Sequence, residues 1–218
     1  GAFLYMPTTM THASITETTD VLQKQDMAFA GIPEVDSAVG KLGRVDSALD
    51  PAPISMIETI INYKSEYIVD EQGTRLRFSY TKKENDYFRN RNGDSILAPD
   101  GKPYLVKGTF GRDKNNELIS DKRGKPFRQW RPELDVKLNP ERAYWPGIKS
   151  PNDIWDVIQK AGQVPGTTSA PKLQPIEARL IMLQSGVRSP MAIKVKGPDL
   201  QTIEAFGMEL EKAIKEAS

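Results

Sequence analysis

The sequence contains no cysteine and only one histidine among its 218 residues. The absence of cysteine excludes disulfides, thiolate zinc sites, iron–sulfur clusters and cysteine nucleophiles. A single histidine excludes any metal site built from several imidazoles. No apolar run approaches the roughly 18–20 residues that cross a bilayer, and no signal peptide is visible. Gly1 is typical of a cloning remnant, so we expect an excised fragment, which would lack any targeting or membrane segments of its parent chain.

Charge is unevenly distributed, although the formal net charge is only +1. Residues 65–145 hold 17 basic and 13 acidic side chains, whereas the remaining residues hold 13 basic and 16 acidic. This shift predicts that 65–145 is an insertion. Turn-forming pairs such as Asn92-Gly93 occur throughout it, and Gly101-Lys102-Pro103-Tyr104 recurs as Gly124-Lys125-Pro126-Phe127. We therefore expect a charged module of β-hairpins, two of them similar and in tandem.

The residues on either side of the insertion alternate between strand and helix patterns. A capping box, Ser14 to Glu17, begins the first predicted helix, and Ser150-Pro151 begins the second. Short apolar or β-branched runs predict strands at 3–6, 35–39, 54–63 and 176–183. This order predicts an α+β fold with a ferredoxin-like split βαβ (βαββαβ) subdomain that the insertion interrupts.

The end of the chain repeats the beginning of that pattern. A further strand at 191–195 precedes a helix that begins at Asp199, as in the first third of a second similar subdomain. The predicted domains are therefore a first subdomain at 1–64 and 146–190, the hairpin insertion at 65–145, and the start of a second subdomain at 191–218. Nothing in the sequence matches a nucleophile elbow, a phosphate loop or a dinucleotide fingerprint, so we do not expect an enzyme.

Nucleic-acid binding is one alternative, because the insertion interleaves aromatic residues with lysine and arginine. Its small positive charge and its scattered acidic residues favour a solvated hairpin surface instead. A stand-alone periplasmic module that binds a metal or another ligand is a second alternative. The incomplete second subdomain argues against it, because a native carrier would not end after one strand and one helix.

Three sequence blocks resemble the heavy-metal efflux transporters of the resistance-nodulation-division superfamily, in their copper/silver branch. The first is Leu4-Tyr5-Met6-Pro7-Thr8-Thr9. The second comprises Gly40-Lys41-Leu42-Gly43-Arg44 and Asp50-Pro51-Ala52-Pro53-Ile54-Ser55-Met56-Ile57-Glu58-Thr59. The third is Arg179-Leu180-Ile181-Met182-Leu183-Gln184-Ser185-Gly186-Val187-Arg188-Ser189-Pro190. The resemblance covers residues 1–64 and about 146–218, and the insertion has no counterpart in it.

The resemblance implies that this chain is the periplasmic porter region that follows the seventh transmembrane helix of such a pump. It implies a metal site formed by Met6, Met56 and Met182, and a cleft lined by Glu58, Arg179 and Arg188. Arg188 stands where the family has lysine. No cofactor is expected, because the bound Cu(I) or Ag(I) is the cargo. The parent is expected to be a homotrimer in the inner membrane of a Gram-negative bacterium. An adaptor protein and an outer-membrane channel would be its partners, and nucleic acid would not.

The chemistry of thioethers agrees with a soft monovalent ion. A thioether is a soft, neutral ligand that prefers Cu(I) over Zn²⁺ or Mg²⁺, and by the same softness Ag(I). It requires no deprotonation, so binding should vary little with pH. Met56 and Glu58 are two residues apart and share a face if 54–63 is a strand. Arg179 and Met182 share a site only if their strand breaks or bulges.

Overall fold

The computed structural model describes residues 1–10, 12–43, 53, 55–142, 144–175, 180, 193 and 195–217. The chain divides into two compact units, 1–175 and 176–218. The strands are β1 (Ala2–Tyr5), β2 (Val35–Leu42), β3 (Ile57–Tyr63), β4 (Arg77–Phe78), β5 (Tyr80–Tyr87), β6 (Leu105–Phe110) and β7 (Lys125–Pro126). The helices are α1 (Ile15–Ala30), α2 (Pro151–Ala161) and α3 (Leu200–Ala217).

The main sheet of the first unit has the order β1-β3-β2, and both pairs are antiparallel. Its core contains aromatic and β-branched side chains from the sheet and from both helices: Phe3, Tyr5, Phe29, Ile61, Ile154, Trp155 and Ile158. Phe3, Tyr5 and Ile61 occupy alternate positions, so this face of the sheet is the one that α1 and α2 cover. The α+β class is confirmed, and the order β1-α1-β2-β3-α2 is compatible with the ferredoxin-like subdomain that the sequence predicts.

Local capping sets both helix starts, as the sequence predicts. At α1, Glu17 N–H donates to Ser14 Oγ at 3.2 Å, and Ser14 N–H donates back to the Glu17 carboxylate at 2.7 Å. At α2, the Asp153 carboxylate accepts the Ser150 N–H at 2.7 Å. These bonds satisfy N–H groups that the first helical turn leaves without a partner.

An irregular segment lies along the β1 edge of the main sheet. Residues 167–173 run antiparallel to β1 through isolated bridges, Thr9 to Thr167 and Leu4 to Leu173. Leu4 N–H donates to Leu173 O at 3.0 Å. The strand predicted at 176–183 lies almost wholly outside the described residues. The segment at 167–173 is polar and irregular, so no alternating pattern marks it as a strand.

A series of related hairpins forms the segment 67–127, here called the hairpin module. Gly73, Gly93 and Asn116 occupy equivalent turn positions, and each N–H donates to the carbonyl three residues earlier at 3.0–3.1 Å. All three residues have positive φ, at 81°, 95° and 68°. Residues 89–104 and 112–127 therefore form two copies of one hairpin unit, offset by 23 residues. The two copies share their turns but differ in pairing, because Ala98 N–H donates to Lys102 O whereas Asp121 N–H donates to Arg77 O.

The chain returns from the hairpin module to the main core through Trp130 and Arg131. Trp130 is part of the main core, and its indole N–H donates to Lys64 O at 2.8 Å. The buried Arg131 guanidinium forms two-pronged hydrogen bonds at 2.9–3.1 Å with the buried Glu34 carboxylate. Trp130 and Arg131, near the end of the predicted insertion, thus help to build the first subdomain. The boundaries of the insertion stay a prediction.

The described part of the second unit consists mainly of α3. Asp199 caps this helix, because its carboxylate accepts the Thr202 N–H at 2.8 Å. The helix predicted from Asp199 is therefore confirmed, whereas most of the strand predicted at 191–195 lies outside the described residues. No helix in the described part of the chain is long and apolar enough to cross a membrane.

Candidate functional site

Met6 and Met56 lie on neighbouring strands, just beyond the paired ends of β1 and β3. The β1–β3 register pairs Tyr5 with Thr59, and it continues through an Ile57 N–H bond to Pro7 O at 3.2 Å. A further bridge then joins Thr8 to Met56. Continuing this register places Met6 opposite Glu58. Directly opposite residues in an antiparallel pair lie on one face, as do residues two apart.

Met6, Met56 and Glu58 therefore share one face of the sheet. It is the face opposite to the one that α1 and α2 cover, because Tyr5 and Ile61 have the other parity. The exposed fraction is only 3% for Met6, 2% for Met56 and 8% for Glu58. The structure thus places two thioethers and one carboxylate in a buried position on adjacent strands.

Lys41 completes a row of side chains across the three strands. It lies opposite Glu58 in the β2–β3 register, and its Nζ is 3.1 Å from Glu58 Oε2. The lysine is partly exposed, whereas the glutamate is buried. A buried carboxylate is costly unless it is paired, so the contact with Lys41 offsets the cost of burying Glu58 beside the methionines.

Lys41 is not among the site residues that the sequence predicts. It lies in the Gly40-Lys41-Leu42-Gly43-Arg44 block of the family resemblance, which implies no role for it. Its signal is the register: once β2 and β3 pair, Lys41 falls opposite Glu58. Such a pairing depends on the turn between the strands, and so the spacing of the two residues in sequence does not reveal it.

The other predicted site residues, Met182, Arg179 and Arg188, lie outside the described residues. The structure therefore brings together Met6, Met56 and Glu58, and the three-methionine site stays a prediction. Within the described part of the chain, no group of three His, Cys, Asp or Glu side chains is placed to hold a metal ion. The two thioethers are the soft groups at this position, and groups of this kind prefer Cu(I) over harder cations.

No protein-family model matches this chain. It is 25% identical over 215 residues to the putative cation efflux system protein SilA of Salmonella typhimurium. It is 24% identical over 215 residues to the cation efflux system protein CusA of Escherichia coli K12, and equally to that of E. coli O157:H7. Each alignment covers 99% of this chain but 13% of the relative. The predicted resemblance to cation efflux proteins is confirmed.

Proposed function

We propose, from the resemblance to cation efflux system proteins, that this chain is the substrate-binding porter region of a proton-driven efflux pump for Cu(I) and Ag(I). It would work as part of a transporter, on the periplasmic side of the inner membrane, and would catalyse no reaction. The observation that carries the proposal is the strand pairing that puts Met6, Met56 and Glu58 on one buried face.

This arrangement suits a transported ion better than a structural one. Thioethers are neutral and soft, so they select a monovalent soft cation without the charge that holds Zn²⁺ in carboxylate or thiolate sites. Glu58 would supply local negative potential that favours entry of the cation. Met182 would be the third thioether, and Arg179 and Arg188 would line the approach. The parent pump would be a homotrimer that joins an adaptor protein and an outer-membrane channel.

Titration calorimetry tests the metal site directly. The chain is expected to bind one Ag⁺ and no Zn²⁺, and the triple variant Met6→Ile, Met56→Ile, Met182→Ile is expected to bind neither. Isoleucine keeps an apolar side chain of similar volume but removes the sulfur, so folding should survive. The matched control converts three exposed methionines, Met10, Met27 and Met208, and should bind Ag⁺ like the wild type. Equal Ag⁺ binding by both triple variants would refute the site.

A second prediction about the same site concerns Lys41. The ammonium group beside Glu58 repels an incoming cation, so Lys41→Gln is expected to raise the affinity for Ag⁺. We expect a change of about 10-fold, equivalent to about 1.4 kcal/mol between partly solvated charges. Lys24→Gln is the control, because Lys24 also pairs with a carboxylate, Asp20, but on the exposed surface of α1. A fall in Ag⁺ affinity in Lys41→Gln alone would show that Lys41 instead holds Glu58 in its binding position.

A further inference from the structure

The hairpin module contains a cavity of about 150 Å³ between β5, β6 and β7. Aromatic rings line it: the Tyr80 and Phe110 centroids are 4.9 Å apart, and those of Phe110 and Phe127 are 5.0 Å apart. Gly108 lies in the wall with φ of +84°, and a Cβ at this position would collide with the Tyr80 ring. The fold thus needs glycine here to let Tyr80 lie across β6.

The opening of this cavity is basic. The charged residues that line it are Arg89, Lys107, Arg112, Lys125 and Arg128, together with one acid, Asp86. Arg89 binds Asp86 at 3.1–3.3 Å. Burial alone would raise the pKa of Asp86, but hydrogen bonds from Arg89 and others bring that pKa below its ordinary value. The single acidic charge is therefore already compensated within the module.

Several of the basic charges have no acidic partner. Arg128 pairs with Glu66 at 2.9 Å, whereas Arg112 donates to three backbone carbonyls at 2.6–3.0 Å. Lys125 lies over the Tyr80 ring, with Nζ 4.4 Å from the centroid. Neither Lys107 nor Lys125, both exposed, forms an ion pair with any residue that the structure describes. The rim therefore keeps an excess of positive charge beside an aromatic floor.

The size of the cavity limits what it can hold. An apolar cavity of roughly 150 Å³ accommodates a molecule of the size of benzene, whereas sites for whole ligands usually measure about 300–1,000 Å³. A ligand would thus insert one ring and leave the rest outside, between the two lysines. This is the form of an anchor pocket, in which one buried aromatic side chain provides much of the binding energy of an interface.

We propose that this cavity binds an acidic segment of a partner protein, which inserts one aromatic side chain and places neighbouring carboxylates at Lys107 and Lys125. The charge complementarity favours an acidic partner, and the small volume favours a side chain over a free metabolite. This inference concerns a surface separate from the methionine site and does not depend on the proposed transport function.

To test this proposal, synthetic pentapeptides are added to the whole chain, and binding is measured by NMR from shifts in the amide signals of the protein. A peptide with a central phenylalanine between pairs of acidic residues is expected to shift the amide signals of Gly108 and Thr109. Replacing its phenylalanine by alanine, or its acids by lysines, should weaken binding about 10-fold or more, as expected for loss of an anchor or of charge complementarity. Equal binding of all three peptides would overturn the proposal.

Charge reversal on the protein locates the site. The double variant Lys107→Glu, Lys125→Glu is expected to weaken binding of the acidic peptide at least about 10-fold. The matched control Lys82→Glu, Lys83→Glu alters two exposed lysines of β5 that do not line the cavity, and it should change the affinity less than about 2-fold. Equal losses in both variants would mean general charge attraction and would overturn the proposal.

Two further probes distinguish the proposed occupant, an acidic protein segment, from other possible ligands of the cavity. Phenylacetate that shifts Gly108 and Thr109 while the acidic peptide does not would assign the cavity to small aromatic acids. A single-stranded oligonucleotide that binds more tightly than the peptide, and loses binding in Lys107→Glu, Lys125→Glu, would assign it to nucleic acid. Either result would overturn the protein-partner proposal.

Discussion

Under the proposed function, cells whose full-length transporter carries Met56→Ile are expected to be as sensitive to silver as cells that lack the transporter. Met56 is buried on the face that holds Met6 and Glu58, and isoleucine cannot supply a soft ligand. Outer-shell partners of metal ligands already contribute about 10–100-fold to affinity, so loss of one of the three proposed ligands should cost more. The measurement is growth in graded silver concentrations, with protein levels checked by immunoblot.

The matched control for this experiment is Met27→Ile. Met27 is an exposed residue of α1, so its replacement should leave silver tolerance at the level of the wild type. Because Met to Ile is nearly volume-conserving, each change should cost less than about 1.5 kcal/mol of folding free energy. Wild-type tolerance in the Met56→Ile strain would contradict a metal-binding role for this methionine.

Glu34→Gln is expected to lower the free energy of unfolding by about 3–5 kcal/mol, because it leaves the Arg131 guanidinium buried without a counter-charge. Both partners are buried, and the Glu34 carboxylate also accepts the Arg131 backbone N–H at 2.8 Å. Typical domains are stable by only about 5–15 kcal/mol, so the first unit would lose much of its stability. Urea denaturation monitored by tryptophan fluorescence measures the change.

Glu66→Gln provides the comparison for that loss. Glu66 pairs with Arg128 at 2.9 Å, only three residues from Arg131 along the chain, but about a third of its side chain is exposed. Pairs of this kind contribute at most about 1 kcal/mol. If both variants lost the same free energy, burial of the Arg131–Glu34 pair would not be what stabilises this junction.

The predicted helices agree with the structure because their signals are local. Ser14 and Glu17 lie three residues apart and cap α1 wherever the helix packs. No such local signal marks the segment 167–173, which lies beside β1. In residues 167–173 the apolar and β-branched residues do not alternate regularly with polar ones, and their place beside β1 depends on two isolated bridges with residues more than 150 positions away. A pattern read along the chain carries no information about such pairing.

In the candidate site too, the sequence indicates local relations between residues, whereas strand pairing sets the long-range ones. The two methionines and Glu58 were found by resemblance to a family, and the alternation of a strand explains why Met56 and Glu58 share a face. The relation of Met6 to Glu58 follows from the β1–β3 register, and the ion pair of Glu58 with Lys41 from the β2–β3 register. The role of Met182 stays a prediction.

The sequence by itself determined that no cysteine or multi-histidine site can form, where the helices begin, and the order of the main elements. Each of these depends on residue chemistry or on neighbours a few positions apart. The tertiary structure alone decided that Lys41 pairs with Glu58, that Arg131 forms hydrogen bonds with Glu34, and that the hairpin module contains an aromatic cavity. These contacts join residues 17 to 97 positions apart, so strand register and packing select them from many pairings that local sequence permits equally.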